Sequence, residues 1–240
     1  MRRLLVDIGN TTVARAWMDE GLELLGTLST GAGLLDSLPG PPGEVWVASV
    51  ADAAHTGSLL DPLREAGIPV VEVRVPDHAG LLETRYHPAQ LGVDRWLALL
   101  ACRARGWYPA VVVDAGTATT IDLLDSEGVH QGGYILPGLE MMRSALLAGT
   151  AIRLREAPIA CAGDALPVGT ADAIHCGAIQ AQVALIERLT ASLAAGGRVV
   201  LGGGMASTIA AHLRCRWETM EHMVLQGLAV LAEGDEACAG

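Results

Sequence analysis

Two apolar patterns recur along the chain: short dense runs that read as strands and spaced stripes that read as helices. Arg3–Ile8 is nearly all apolar, as a buried central strand is. Gly9-Asn10-Thr11-Thr12 reads as a turn and Val13–Met18 as the returning strand. Asp19-Glu20-Gly21 then turns the chain into Leu22–Ser29. An antiparallel meander of this kind does not open a dinucleotide-binding half. Gly31–Gly43 reads as loop or short helix. Glu44–Val50, Gly57–Ala66 and Pro69–Val75 follow as strand, helix, strand, which implies parallel pairing by right-handed crossovers. Pro76–Gln90 has little period and reads as loop. Val93–Arg105 carries a helical stripe at Trp96, Leu97, Leu99, Leu100 and Ala104, and Gly106 stops it.

The same order then returns. Ala110–Ala115 and Thr119–Asp125 read as strands joined at Gly116, and Gly128 leads into a third, Val129–Leu136. A short helix over Leu139–Leu147 follows Pro137-Gly138. Ala151–Gly169 is irregular, and Thr170–Ala194 reads as a long amphipathic helix. Arg198–Gly202 reads as a strand, and Met205–Leu213 and Glu221–Ala232 as helices. The pattern predicts an α/β chain of two related halves, 1–108 and 109–240. Asp7 and Asp114 hold the same place in each, 107 residues apart. Each ends an apolar strand ahead of a Gly-containing turn, and the expectation is a carboxylate and a Gly-Thr turn from each half, facing a shared cleft.

Composition narrows the function. The 240 residues are 51% hydrophobic and 18% charged, enough apolar material for a true core. Phe is absent, so Leu, Val, Ile and Ala must fill that core, with Trp46 and Trp96 as large fillers. A net charge of −11 argues against nucleic acid or an anionic membrane as partner, since both need a basic face. No apolar stretch approaches the ~20 residues that span a bilayer. The five cysteines are scattered without a CxxC pair, which fits small buried residues in a reducing cytoplasm better than disulfides or zinc.

Four blocks carry candidate chemistry. In Asp7–Thr11, DIGNT, Gly9 admits close approach, successive amides can form an anion nest, and Asn10, Thr11 and Thr12 add donors. Asp7 could hold hydrated Mg²⁺ against phosphates. Taken alone, this turn is better explained as a plain hairpin. The second Asp-Gly-Thr turn, Asp114–Thr117, tips the balance toward a nucleotide site. In Tyr86–Arg95, YHPAQLGVDR, Asp94 and Arg95 open a helix. They read either as a capping Asp with a surface Arg or as a general base beside an anion-steadying guanidinium. In Gly132–Gly138, GGYILPG, paired glycines mark a bulge or close backbone approach to a ligand or neighbouring chain. Thr170 reads as the N-cap of the long helix, at a terminus that can receive a carboxylate. Gly202–Gly204 reads as a strand-to-helix turn able to pass under a nucleoside. The seven histidines show no metal spacing.

In this order the blocks resemble the type III pantothenate kinases: DIGNT, Y-x-x-P-x-x-L-G-x-D-R, D-x-G-T-A, then G-G-x-I-x-P-G. The resemblance covers essentially the whole chain. It implies the acetate and sugar kinase/Hsc70/actin fold, with two duplicated ribonuclease-H-like halves, each a mixed five-stranded sheet flanked by helices. It implies ATP-dependent phosphorylation of pantothenate, with Mg²⁺ and a monovalent cation, potassium or ammonium, in a cytoplasmic homodimer whose partner subunit helps close the pocket. By motif, Asp7, Ile8, Gly9, Asn10, Thr11, Thr12, Val13 and Ala14 would bind ATP, with Thr117. Asp94 would accept the proton. Tyr86, Gly92, Val93, Asp94, Arg95 and Thr170 would hold pantothenate. Asp114 would bind the monovalent cation. Another small hydroxylated acceptor, or a nucleotide-binding regulatory role without turnover, are the rival readings.

Overall fold

The apolar run Leu4–Val6 near the N-terminus lies in the middle strand of a sheet, where a run without polar residues is buried on both faces. The computed structural model describes residues 2–19, 21–29, 33–154, 161 and 165–239. They fall into two compact units, residues 1–106 with 222–240, and residues 107–221.

In the first unit, β1 (Arg3–Ile8), β2 (Thr12–Met18), β3 (Leu22–Ser29), β4 (Glu44–Ser49) and β5 (Val70–Glu72) form one sheet in the order β3-β2-β1-β4-β5. The meander β1–β2–β3 is antiparallel, and β4 and β5 join it in parallel. Helix α1 (Ala53–Glu65) buries Leu59, Leu60 and Leu63 with Leu4, Val6 and Ile8 of β1. It starts ahead of the expected Gly57 because Asp52 caps it, accepting from the His55 amide at 2.8 Å. Such a cap contributes about 1 kcal/mol. Helices α2 (Val93–Ala104) and α6 (Met223–Ala239) pack on each other, and both contact β4. Arg3 points toward α6, donating to the Ala232 carbonyl at 2.7 Å, so the odd-numbered positions of β1 face this helical layer.

The second unit repeats the topology. Strands β6 (Ala110–Ala115), β7 (Ala118–Leu124), β8 (His130–Pro137), β9 (Arg198–Gly202) and β10 (Trp217–Thr219) lie in the order β10-β9-β6-β7-β8. That is the first sheet again, with β6 in the place of β1. Helices α3 (Leu139–Gly149), α4 (Thr170–Thr190) and α5 (Ala206–Ala210) complete it. Ile179, Val183 and Ile186 of α4 pack with Val111, Val113, Ile121 and Leu201 of the sheet.

Several expectations need correction. The C-terminal helix belongs to the first unit rather than the second half, because α6 packs on α2. Pro69–Val75 is a strand only at Val70–Glu72, and Val75–Leu81 and Pro88–Gln90 form short 3₁₀ turns within the expected loop. Strand β10 was not expected at all; three residues show no period, and pairing with β9 makes them a strand. Much of the expected irregular stretch 151–169, and residues 31 and 32 of the earlier loop, lie outside the described residues.

Candidate active site

Asp7 is the fifth residue of β1, pairs with Ala14, and lies on the strand face shared with Arg3 and Leu5, toward α2 and α6. The following turn is closed by Gly9 N–H donating to the Thr12 carbonyl at 3.0 Å. Asn10, Thr11 and Thr12 are exposed, whereas Ile8, Val13 and Ala14 are buried. The apolar members thus anchor a turn whose amide and hydroxyl donors face solvent. Arg15 is next along β2. Its guanidinium turns inward, donating to Ser37 Oγ at 2.6 Å, the Ser37 carbonyl at 3.2 Å and the Leu25 carbonyl at 3.3 Å. Burial lowers its pKa.

Helix α2 presents the second cluster. Gly92 is its N-cap, Val93 its first residue and Asp94 its second. Asp94 Oδ1 accepts from the Arg95 amide at 2.8 Å. A methyl on Gly92 would stand 2.5 Å from that same oxygen, so glycine leaves the carboxylate its room. The positive end of the helix dipole favours the ionised carboxylate there. Arg95 is not the surface residue one reading supposed: it is 5% exposed, with its guanidinium 5.1 Å from the centre of the Tyr86 ring. Tyr86 in turn is held by its amide, which donates to Thr84 Oγ1 at 3.0 Å. The structure therefore brings Tyr86, Gly92, Val93, Asp94 and Arg95 to one helix end, with an acid, a cation and an aromatic face.

In the second unit Asp114 is the fifth residue of β6, the position Asp7 holds in β1. Gly116, Thr117 and Ala118 are exposed, and the turn is closed by Gly116 N–H donating to the Ala118 carbonyl at 3.0 Å. Two other glycine segments close over it. Gly138 N–H donates to the Thr117 carbonyl at 3.0 Å, and any side chain on Gly138 would collide with the Gly116 and Thr117 carbonyls. Gly203 has a φ of +85°, and a methyl on it would lie 2.5 Å from Asp114 Oδ1 and the Ala115 carbonyl. Gly138 and Gly203, one from each of the two glycine blocks, are therefore walls of the Asp114 turn.

Thr170 is the first residue of α4, not its cap; Gly169 occupies that position and no side chain caps the helix. It lines a groove of about 820 Å³ with Met142, Leu146, Ile152, Val168 and Ile174. The helix amides and one hydroxyl are set in an otherwise apolar trough, a combination suited to a small ligand with a polar end.

A family model described as type III pantothenate kinase matches residues 3–192. The chain belongs to the type III pantothenate kinase family. A relative named type III pantothenate kinase, from Azoarcus sp. (strain BH72), is 38% identical over 98% of this chain and 92% of its own. Among solved structures, a Campylobacter jejuni protein named as a candidate Baf family transcriptional activator superposes with a TM-score of 0.67 at 22% identity. That match covers 98% of this chain and 99% of that one. MreB 5 of Spiroplasma citri superposes with a TM-score of 0.50 at 9% identity, over 99% and 98% of the two chains. These likenesses and the repeated sheet topology identify the duplicated ribonuclease-H-like, actin-like ATPase fold.

The donors present suit the divalent ion that an ATP-using kinase carries on its nucleotide. Among the described residues no three His, Cys, Asp or Glu side chains converge on a metal position. Asp7 offers one carboxylate beside a donor-rich turn, and Mg²⁺ carried on phosphates needs little more. Asp114 offers a carboxylate at a turn whose backbone Gly138 and Gly203 hold in close contact, and a carboxylate is an oxygen donor of the kind hard cations take. None of Cys102, Cys161, Cys176 and Cys215 is in a disulfide, and burial pushes the Cys102 thiol up to about 12. Sequence reasoning missed two buried polar groups of the second unit. One is the Asp122–His130 pair, 2.8 Å apart, and the other is Gln182.

Proposed function

We propose that this chain transfers the γ-phosphoryl group of ATP to the primary hydroxyl of pantothenate, the step that opens coenzyme A synthesis. Support comes from the near full-length similarity to relatives named type III pantothenate kinase, together with an acid at the α2 N-terminus. The hydroxyl oxygen bonds to the γ-phosphorus as the bond to the departing ADP oxygen breaks, and Asp94 takes the hydroxyl proton. A base so placed contributes ~10²–10⁴-fold. Arg95, steadied by Tyr86, pairs with a substrate anion, while Gly92 and Val93 shape the wall and Thr170 contacts pantothenate. The Asp7–Ala14 turn and Thr117 hold the nucleotide. Phosphoryl transfer depends chiefly on positioning and charge neutralisation. Mg²⁺ held near Asp7 and potassium or ammonium held at Asp114 would supply that neutralisation.

The protein acts as a cytoplasmic homodimer in this reading. No described helix is long and apolar enough to cross a membrane. Ile135, Met141, Leu146 and Val168 are exposed apolar residues of the second unit, an economical surface for a second copy. The net charge of −11 disfavours nucleic acid. The test is mass spectrometry of a reaction of ATP, Mg²⁺, potassium and pantothenate. A monophosphorylated pantothenate supports the proposal. ADP formation that leaves pantothenate unmodified, while another hydroxylated metabolite is phosphorylated, overturns it.

A further inference from the structure

Gln182 lies on the core face of α4, between Ile179 and Ile186, and is fully buried. A buried amide needs partners, and this one has them on both sides. Thr119 Oγ1 donates to Gln182 Oε1 at 3.1 Å, and Gln182 Nε2 donates to the Pro137 carbonyl at 3.0 Å. Met142 Sδ lies 3.6 Å from the same nitrogen. Thr119 is the second residue of β7, directly after the Asp114–Thr117 turn, and Pro137 is the last of β8, directly before Gly138. Gly138 is the residue whose amide binds the Thr117 carbonyl at 3.0 Å and which has no room for a side chain. One amide therefore ties the strand leaving the turn to the corner that closes over it.

The geometry points to Gln182 as a positioning residue that sets the backbone of the Asp114–Thr117 turn, and through it the cation and nucleotide affinity of that turn. Gln182 touches no ligand itself. Val113 and Ala115 pack with α4 in the core, so Asp114 between them projects from the other face of β6. The influence of Gln182 passes through the Thr119 hydroxyl and the Pro137 carbonyl. An apolar residue would pack equally well in this stripe while leaving the buried Thr119 hydroxyl without this partner and the Pro137 carbonyl untied, and proteins avoid unpaired buried polar groups. The inference rests on the reading of Asp114 as the monovalent cation site.

The experiment is isothermal titration calorimetry of a non-hydrolysable ATP analogue with Mg²⁺, without pantothenate, across a potassium series. It compares the native protein with Gln182→Met, Thr119→Val and Thr119→Ser. Groups that orient a metal ligand typically change metal affinity by ~10–100-fold when lost. The half-saturating potassium concentration should rise by about that factor in Gln182→Met and Thr119→Val. Thr119→Ser, which keeps the hydroxyl, should retain the native value. Maximal turnover at saturating potassium and ATP should change little, since the proton acceptor lies elsewhere. If Gln182→Met does not fold, the Thr119 pair decides. A native potassium response that both Gln182→Met and Thr119→Val reproduce would overturn the positioning role. A native protein indifferent to potassium would remove the cation reading and this inference with it, while pantothenate phosphorylation is judged separately by its product.

Discussion

The two Asp-Gly turns occupy the same position in the same topology, yet they are built in opposite ways. The Asp7 turn is made by its own residues. Ile8, Val13 and Ala14 sink into the core, Asn10 to Thr12 stay in solvent, and Gly9 closes the loop with one bond to Thr12. A methyl on Gly9 would lie 3.2 Å from the Thr12 carbonyl, tight but not prohibitive. The Asp114 turn is made by its neighbours. Gly138 and Gly203 press against its backbone and Gln182 ties its two sides together. A duplicated fold can thus keep one carboxylate position while one copy relies on side-chain donors and the other on enforced backbone shape. In the proposed reading, the difference suits a hydrated ion carried on phosphates at the first turn and a monovalent ion held by fixed oxygens at the second.

The largest expected effect separates both turns from the chemical step. Asp94→Asn should melt like the native protein and lose ~10²–10⁴-fold in kcat. A turn variant with the same kcat loss and unchanged ATP affinity would show that the division of labour is drawn in the wrong place. Next comes Asp114→Ala, which should weaken ATP use and erase the response to potassium. If the variant still distinguishes potassium from sodium, the cation is bound elsewhere. Gly138→Ala tests the enforced shape directly. Forcing a methyl against two carbonyls costs on the order of 1–3 kcal/mol, and urea unfolding should register it. The smallest effect should be that of Gly9→Ala, within roughly 0.5 kcal/mol in the same unfolding assay. Equal destabilisation by Gly9→Ala and Gly138→Ala would erase the contrast between the turns.

Much of this was legible in the order of residues. Both meanders announce themselves because Leu4–Val6 and Val111–Val113 are apolar runs of the kind buried central strands carry. The acid at the start of α2 was legible because a helical stripe begins immediately after it. The environment of Arg95 was not. A single arginine at a helix start looks the same whether it faces water or lies against Tyr86, and only tertiary packing decides. Thr170 was misread for a local reason: Thr is a good cap, but Gly169 takes the extended conformation and leaves Thr170 inside the helix. Gln182 gave no signal, because one polar residue in an apolar stripe shows nothing of the hydroxyl and carbonyl it will meet. Helix α6 was found as a helix and assigned to the wrong half, since its partner α2 lies far back in the chain.

The most direct test of the central claim is steady-state ADP release by the purified protein with ATP and Mg²⁺, titrating pantothenate in potassium chloride and in sodium chloride. The account predicts turnover that requires pantothenate and is much faster in potassium. ADP release that ignores pantothenate, or that runs equally well in sodium, would contradict it.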